Sequence, residues 1–188
     1  MNLKVSPLKH QLIAAVVLGI LIWAGVNLTS PSTALAQPKG DTDPWKPFHF
    51  LLGQWESKPD SMGAFGGSTF SLELQNRILM RKNFANYPAA NGKPAINHED
   101  LLVLYQQPGN PFEASYWDNE GHVIHYLARM SENEDTLAMT SDVVPNSPRF
   151  RLSYIKMGGD SLKVGFEFAP PGNPDAFKPY LTGMLHKK

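Results

Sequence analysis

The chain has 188 residues, seventeen Lys plus Arg against seventeen Asp plus Glu, and no cysteine. Balanced charge without a basic run argues against nucleic acid and anionic membrane as electrostatic partners. The missing thiol removes disulfides, thiolate metal sites, cysteine nucleophiles and acylated anchors.

Residues 1–36 have the layout of a cleavable export signal. Lys4, Lys9 and the amino terminus make a positive start, residues 12–28 are an almost unbroken apolar run, and Ala34-Leu35-Ala36 supplies small residues for cleavage before Gln37. A run of seventeen residues is short for a membrane span. The expected mature protein is therefore periplasmic or extracellular, with no stable membrane span; if the segment is retained it acts as an anchor. Residues 37–49 are polar and Pro-rich and read as an irregular tether whose end packs onto the domain through Trp45, Phe48 and Phe50. Residues 50–188 form one domain, long enough to bury a core.

Phe50-Leu51-Leu52-Gly53-Gln54-Trp55-Glu56 is the first strand-like run. Residues 57–67, with Pro59, Gly63, Gly66 and Gly67, read as a loop. Residues 69–75 alternate, with Phe70, Leu72 and Leu74 facing in. Further strands are predicted at 78–85, 98–106, 112–117, 122–130, 135–141, 150–156, 161–169 and 177–185, separated by Pro, Gly and Asn turns. No useful helical stripe occurs after the signal. Short strands at even spacing indicate an all-β sandwich or closed antiparallel up-and-down barrel of about 8–10 strands, and the barrel is preferred.

Two hairpins allow a register. With Met157-Gly158-Gly159 as the loop, Phe150 meets Phe166, Leu152 meets Val164 and Tyr154 meets Leu162. That leaves Arg149, Arg151, Lys163 and Glu167 on the other face. With a turn at Asp118-Asn119-Glu120-Gly121, Phe112 meets Leu127, Ala114 meets His125 and Tyr116 meets Val123. His125 then points inward and His122 outward; a bulge at Gly121 would exchange them.

Leu51-Leu52-Gly53-Gln54-Trp55 resembles the opening strand of calycin-type barrels, in particular lipocalin-like and nitrobindin-like proteins. Lys178-Pro179-Tyr180-Leu181-Thr182-Gly183-Met184-Leu185 resembles the nitrobindin closing strand. The resemblance implies a closed calycin-like barrel around a haem cavity, whose iron-binding His falls at Tyr180 here. Glu56-Ser57-Lys58-Pro59 replaces the further alternating glycines of the nitrobindin opening. The lipocalin version expects a basic partner for the Trp on the last strand, and 177–185 offers only Lys178, so Trp55 is read as a floor plug.

The inward face would then be aromatic and aliphatic, suited to a small apolar or planar molecule. Tyr116, Tyr154 and Phe166 line it, Trp55 floors it, and Tyr180 and His125 are its polar candidates. His125 would orient a ligand, act as a base, or be a satisfied core imidazole. His122 and His125 lie three apart on a strand and cannot share an ion. His98 and Asp100 share a face, but no third ligand of fixed spacing is visible, so no metal is expected. Nucleophile, P-loop and dinucleotide motifs are absent, and Glu56, Glu73, Glu113 and Glu167 fall on the polar face. The expectation is an exported small-molecule-binding barrel with no catalytic residue and no cofactor required by its residues. The alternatives are a haem or tetrapyrrole protein with Tyr180 or His125 at the iron, and a cyclase or isomerase using His125.

Overall fold

The alternating runs become ten strands in the computed structural model, which describes residues 43–188 apart from Asn91. The expected signal, residues 1–36, lies outside the described residues. The strands are β1 (Gly53–Glu56), β2 (Phe65–Glu73), β3 (Ile78–Tyr87), β4 (Ile96–Gln106), β5 (Phe112–Asp118), β6 (Val123–Met130), β7 (Thr136–Ser141), β8 (Arg149–Met157), β9 (Ser161–Ala169) and β10 (Lys178–Lys187). Each pairs antiparallel with its neighbour in sequence, and β10 returns to β1, giving a closed up-and-down barrel. Among the described residues no helix is long and apolar enough to cross a membrane.

The expected tether is regular from Lys46. A 3-10 helix at Lys46–Leu51, with Pro47 at its start where no N–H is needed, closes one end of the barrel. Phe48 and Leu51 are buried, and the Phe48 ring sits 4.7 Å from that of Phe112. Trp45 Nε1 donates to Asn76 O at 2.7 Å and Trp55 Nε1 donates to Leu51 O at 2.6 Å. Both indoles thus bury their rings without orphaning their N–H groups. Trp55 is the floor plug the sequence indicates. It also has the basic partner that residues 177–185 lack: β10 continues to Lys187, whose Nζ lies 5.4 Å from the Trp55 ring.

Four local differences from the sequence reading have identifiable causes. Gly66 and Gly67 belong to β2 and not to a loop. A Cβ on Gly67 would lie 2.6 Å from Trp55 O, so glycine lets β2 approach β1 closely. Leu74 does not face in: Leu74, Gln75 and Asn76 all have positive φ, and this left-handed turn leaves Leu74 exposed. The β8–β9 hairpin keeps its predicted faces but slides by two residues, so Phe150 meets Phe168, Leu152 meets Phe166 and Tyr154 meets Val164. The loop is 158–160, with Gly159 left-handed, and the slide sets Arg151 opposite Glu167 in a bidentate pair at 2.6 and 3.0 Å.

The β5–β6 hairpin is the fourth. Its turn takes one more residue than predicted, so Ala114 meets Tyr126 and Ser115 meets His125. Gly121 has φ +93°, and Asp118 Oδ1 accepts the N–H groups of Glu120 and His122 at 3.0 and 2.9 Å. One added residue turns every β6 side chain over. Tyr126 is buried inside, and His125 stands outside, exposed, with Nδ1 3.1 Å from Ser115 Oγ.

Candidate functional site

The plugged end leaves the opposite end as the mouth. It is rimmed by the connections 57–64, 88–95, 119–122, 142–148 and 170–177. Towards the plug, inward side chains such as Leu79, Leu104, Leu137, Met139 and Leu162 are essentially unexposed. At mid-height Arg81 of β3 reaches across to Tyr154 of β8, with Nη1 donating to the phenol oxygen. Both residues are buried, and Phe70 packs edge-on to Tyr154 at 5.2 Å. These buried side chains cross the interior at mid-height. Above this floor the inward residues Asn83, His98, Tyr116, Phe150, Phe166 and Phe168 are only partly buried, and they line a cup with two unlike walls.

Strands β3 to β5 supply the polar wall. Arg81 Nη2 donates to Asp100 Oδ1, and Asn83 Nδ2 donates to Asp100 Oδ2 at 2.8 Å. Ser68 Oγ donates to Asn83 Oδ1 at 2.7 Å. Burial alone would make the Arg81 guanidinium easier to neutralise, but Tyr154 and Asp100 beside it push its pKa up and hold the charge. Its Nε alone has no partner among the described residues. Further up, His98 Nε2 lies 3.2 Å from Asp100 Oδ2, and His98 Nδ1 lies 3.0 Å from Glu120 Oε1. Tyr116 donates to Asp118 Oδ2 at 3.1 Å, and His122 Nδ1 lies 2.8 Å from the same oxygen. Burial acts to raise the Asp118 carboxyl, yet the His122 and Glu120 N–H groups, the His122 ring and the Tyr116 hydroxyl together hold it below the usual carboxylate range. Burial, then Asp100 and Asp118, push the Tyr116 phenol far above its usual range, so it stays a donor.

Strands β8 to β10 supply the aromatic wall. Phe150 and Phe166 stack at 5.7 Å with planes 11° apart. β10 is irregular between Pro179 and Leu181, which releases Tyr180 from the ladder. Tyr180 sets its ring edge-on to Phe166 and Phe168 at 6.1 and 6.2 Å while 73% exposed. Tyr87 stands at the rim of β3, its phenol raised by burial and by the neighbouring Tyr180, Glu120 and Asp60.

Of the six residues singled out from sequence, the structure brings Tyr116, Phe166 and Tyr180 to the cup and sets Tyr154 in its floor. Trp55 lies at the plugged end. His125 is on the outer wall, so the reading of His125 as an inward ligand, base or iron contact is corrected; the added turn residue at Gly121 is the reason. Arg81, Asn83 and Asp118 were not singled out. In β3 the outward set Ile78, Met80, Lys82, Phe84 and Asn86 and the inward set Leu79, Arg81, Asn83, Ala85 and Tyr87 are equally mixed, so alternation selects neither face. Only a register that placed Asn83 opposite Asp100 would have shown the cluster.

A shallow groove of about 560 Å³ also runs outside β2 to β5, lined by Thr69, Lys82, Phe84, Leu101, Trp117 and Asn119 among others. It is separate from the cup, because Thr69, Lys82, Leu101 and Trp117 are on the opposite face of the sheet from Asn83, Asp100 and Asp118. Neither the known protein-family models nor the curated proteins include a match to this chain.

Proposed function

We propose that this is a calycin-like barrel, exported by its first 36 residues, that binds a small, flat, largely apolar molecule in the cup. The observation that carries this reading is the aromatic wall. Phe150, Phe166 and Phe168 are inward-facing yet only half-buried, and Tyr180 leans over them. A filled core would bury such rings, each worth about 150–250 Å². Left accessible in a concave end opposite fixed hydrogen-bonding groups, they match the usual make-up of a small-ligand site. The ligand lies against Phe166 and Phe150 and turns its polar edge to Tyr116 and Asn83. The Lys187–Trp55 contact supports the calycin-like assignment, since it joins the opening and closing strands. Binding is the reading that the exposed aromatic wall supports.

Titration with the planar fluorophore anilinonaphthalene sulfonate tests it. One saturable site is expected in the wild type, weakened at least about tenfold in Phe166→Ala, consistent with stacking and burial worth one to a few kcal/mol. Absence of a saturable site, together with native mass spectra showing no co-purified small molecule, overturns the proposal. Haemin is the second probe: a Soret shift abolished by Tyr180→Phe identifies the ligand as a tetrapyrrole, and an unchanged spectrum removes haem from consideration.

A further inference from the structure

From the geometry at the lip of the polar wall we infer a divalent transition-metal site formed by His98, Asp118 and Glu120. One donor atom from each lies within 4.8 Å of the others. The three come from two places in the chain: His98 from β4, and Asp118 and Glu120 from the β5–β6 turn. The turn conformation that Asp118 imposes by accepting two backbone N–H groups is what carries Glu120 back over His98. Metal–nitrogen and metal–carboxylate bonds are about 2.0–2.2 Å. Donors on adjacent positions around such an ion are therefore roughly 3.0–3.5 Å apart. The His98 Nδ1 to Glu120 Oε1 separation of 3.0 Å already has that value. Glu120 has a half-exposed side chain and is free to close on the third donor.

What distinguishes this set from a solvated group of acids is the support behind the imidazole. Metal-binding histidines nearly always donate the other ring N–H to a carboxylate. Here Nε2 faces Asp100, which the barrel core fixes through Arg81 and Asn83. That leaves Nδ1 for the ion. Asp100 is neutralised by Arg81, so the ion meets a neutral imidazole and two carboxylates, whose charge it balances. The nitrogen donor and low ligand number favour Zn²⁺, Co²⁺ or Mn²⁺ over Ca²⁺, which takes 6–8 oxygens. The site stands independently of the cup ligand.

Isothermal titration of the untagged full chain with Zn²⁺ tests this. One ion per chain is expected. His98→Gln and Glu120→Gln should each weaken it at least about tenfold. Glu120 is half-exposed and its substitution leaves the core intact, so that variant reads the site and not the fold. His186→Ala, at an exposed imidazole on β10, should bind as the wild type does. No binding, unchanged affinity in both site variants, or equal affinity for Ca²⁺ overturns the assignment.

Discussion

Replacing Asp100 by Ala should be among the most damaging single changes in this barrel. The side chains of Arg81 and Asp100 are 4% and 3% exposed, and Asp100 also accepts from Asn83 and faces His98. The substitution strands a guanidinium whose Nε already lacks a partner. Breaking a buried ion pair from one side costs about 3–5 kcal/mol. Losing two hydrogen bonds to the carboxylate, from Arg81 and Asn83, at about 1.5–3 kcal/mol each gives a similar figure of about 3–6 kcal/mol. At about 2–4 °C per kcal/mol for a domain of this size, the melting temperature should fall by roughly 6–20 °C. Urea unfolding followed by far-ultraviolet circular dichroism measures it, with an unchanged m-value confirming that the unfolding reaction is the same. The double variant Arg81→Met with Asp100→Leu removes both charges and should recover most of the loss. A cost below about 1 kcal/mol for Asp100→Ala, or a double variant equal to the sum of its singles, would refute the view that the pair is a coupled, desolvated unit.

Phe48→Ala opens the plugged end and should cost about 3–5 kcal/mol in urea titrations, while fluorophore binding at the mouth persists once the protein is folded. Gly67→Ala places a Cβ 2.6 Å from Trp55 O, so a loss of roughly 1–3 kcal/mol is expected; a neutral result would show that β1 and β2 separate easily. Asp118 and Glu167 have folded pKa values below the ordinary range, Glu167 chiefly through its Arg151 hydrogen bonds. Their stabilisation is fully present above the unfolded carboxylate value of about 4 and is lost as pH falls through the lower folded values. Urea midpoints between about pH 2 and 6 should therefore drop on the acid side, with a shallower slope in Asp118→Asn. His125→Ala should change stability by less than about 0.5 kcal/mol, as for other exposed positions, and leave fluorophore binding unchanged.

The sequence made the barrel legible because alternation and turn residues are local. The β8–β9 faces followed from keeping Arg151, Lys163 and Glu167 out, although the pairing itself slid by two. Alternation cannot detect an even slide; the Arg151–Glu167 pair selects it. The β5–β6 error was of the opposite kind, since a single added turn residue reverses a whole strand. It moved His125 outside and Tyr126 inside. The cup's polar wall was hidden because its members sit on separate strands. Asp118 and Glu120 looked like ordinary turn residues, and His98 with Asp100 looked like a solvated strand start. Only the joined register of β3, β4 and β5 brings them to one lip. The aromatic side was easier, because Phe150, Phe166 and Phe168 alternate within one hairpin.

The ladder between β1 and β10 has a consequence of its own. It consists of two residue pairs, Trp55 with Lys187 and Glu56 with His186, whereas β3 and β4 share ten. Lys188 adds a backbone N–H to Gln54 O at 2.9 Å and a side-chain contact to Glu56. The hoop is thus fastened by a short clasp made of its own two ends. Opening that clasp requires few hydrogen bonds, so amides near residues 54–56 and 186–188 exchange through local release and not through global unfolding. Removing Lys187 and Lys188 would convert an edgeless cylinder into a curled sheet with two bare edges, the form of β structure most prone to pairing with its neighbours.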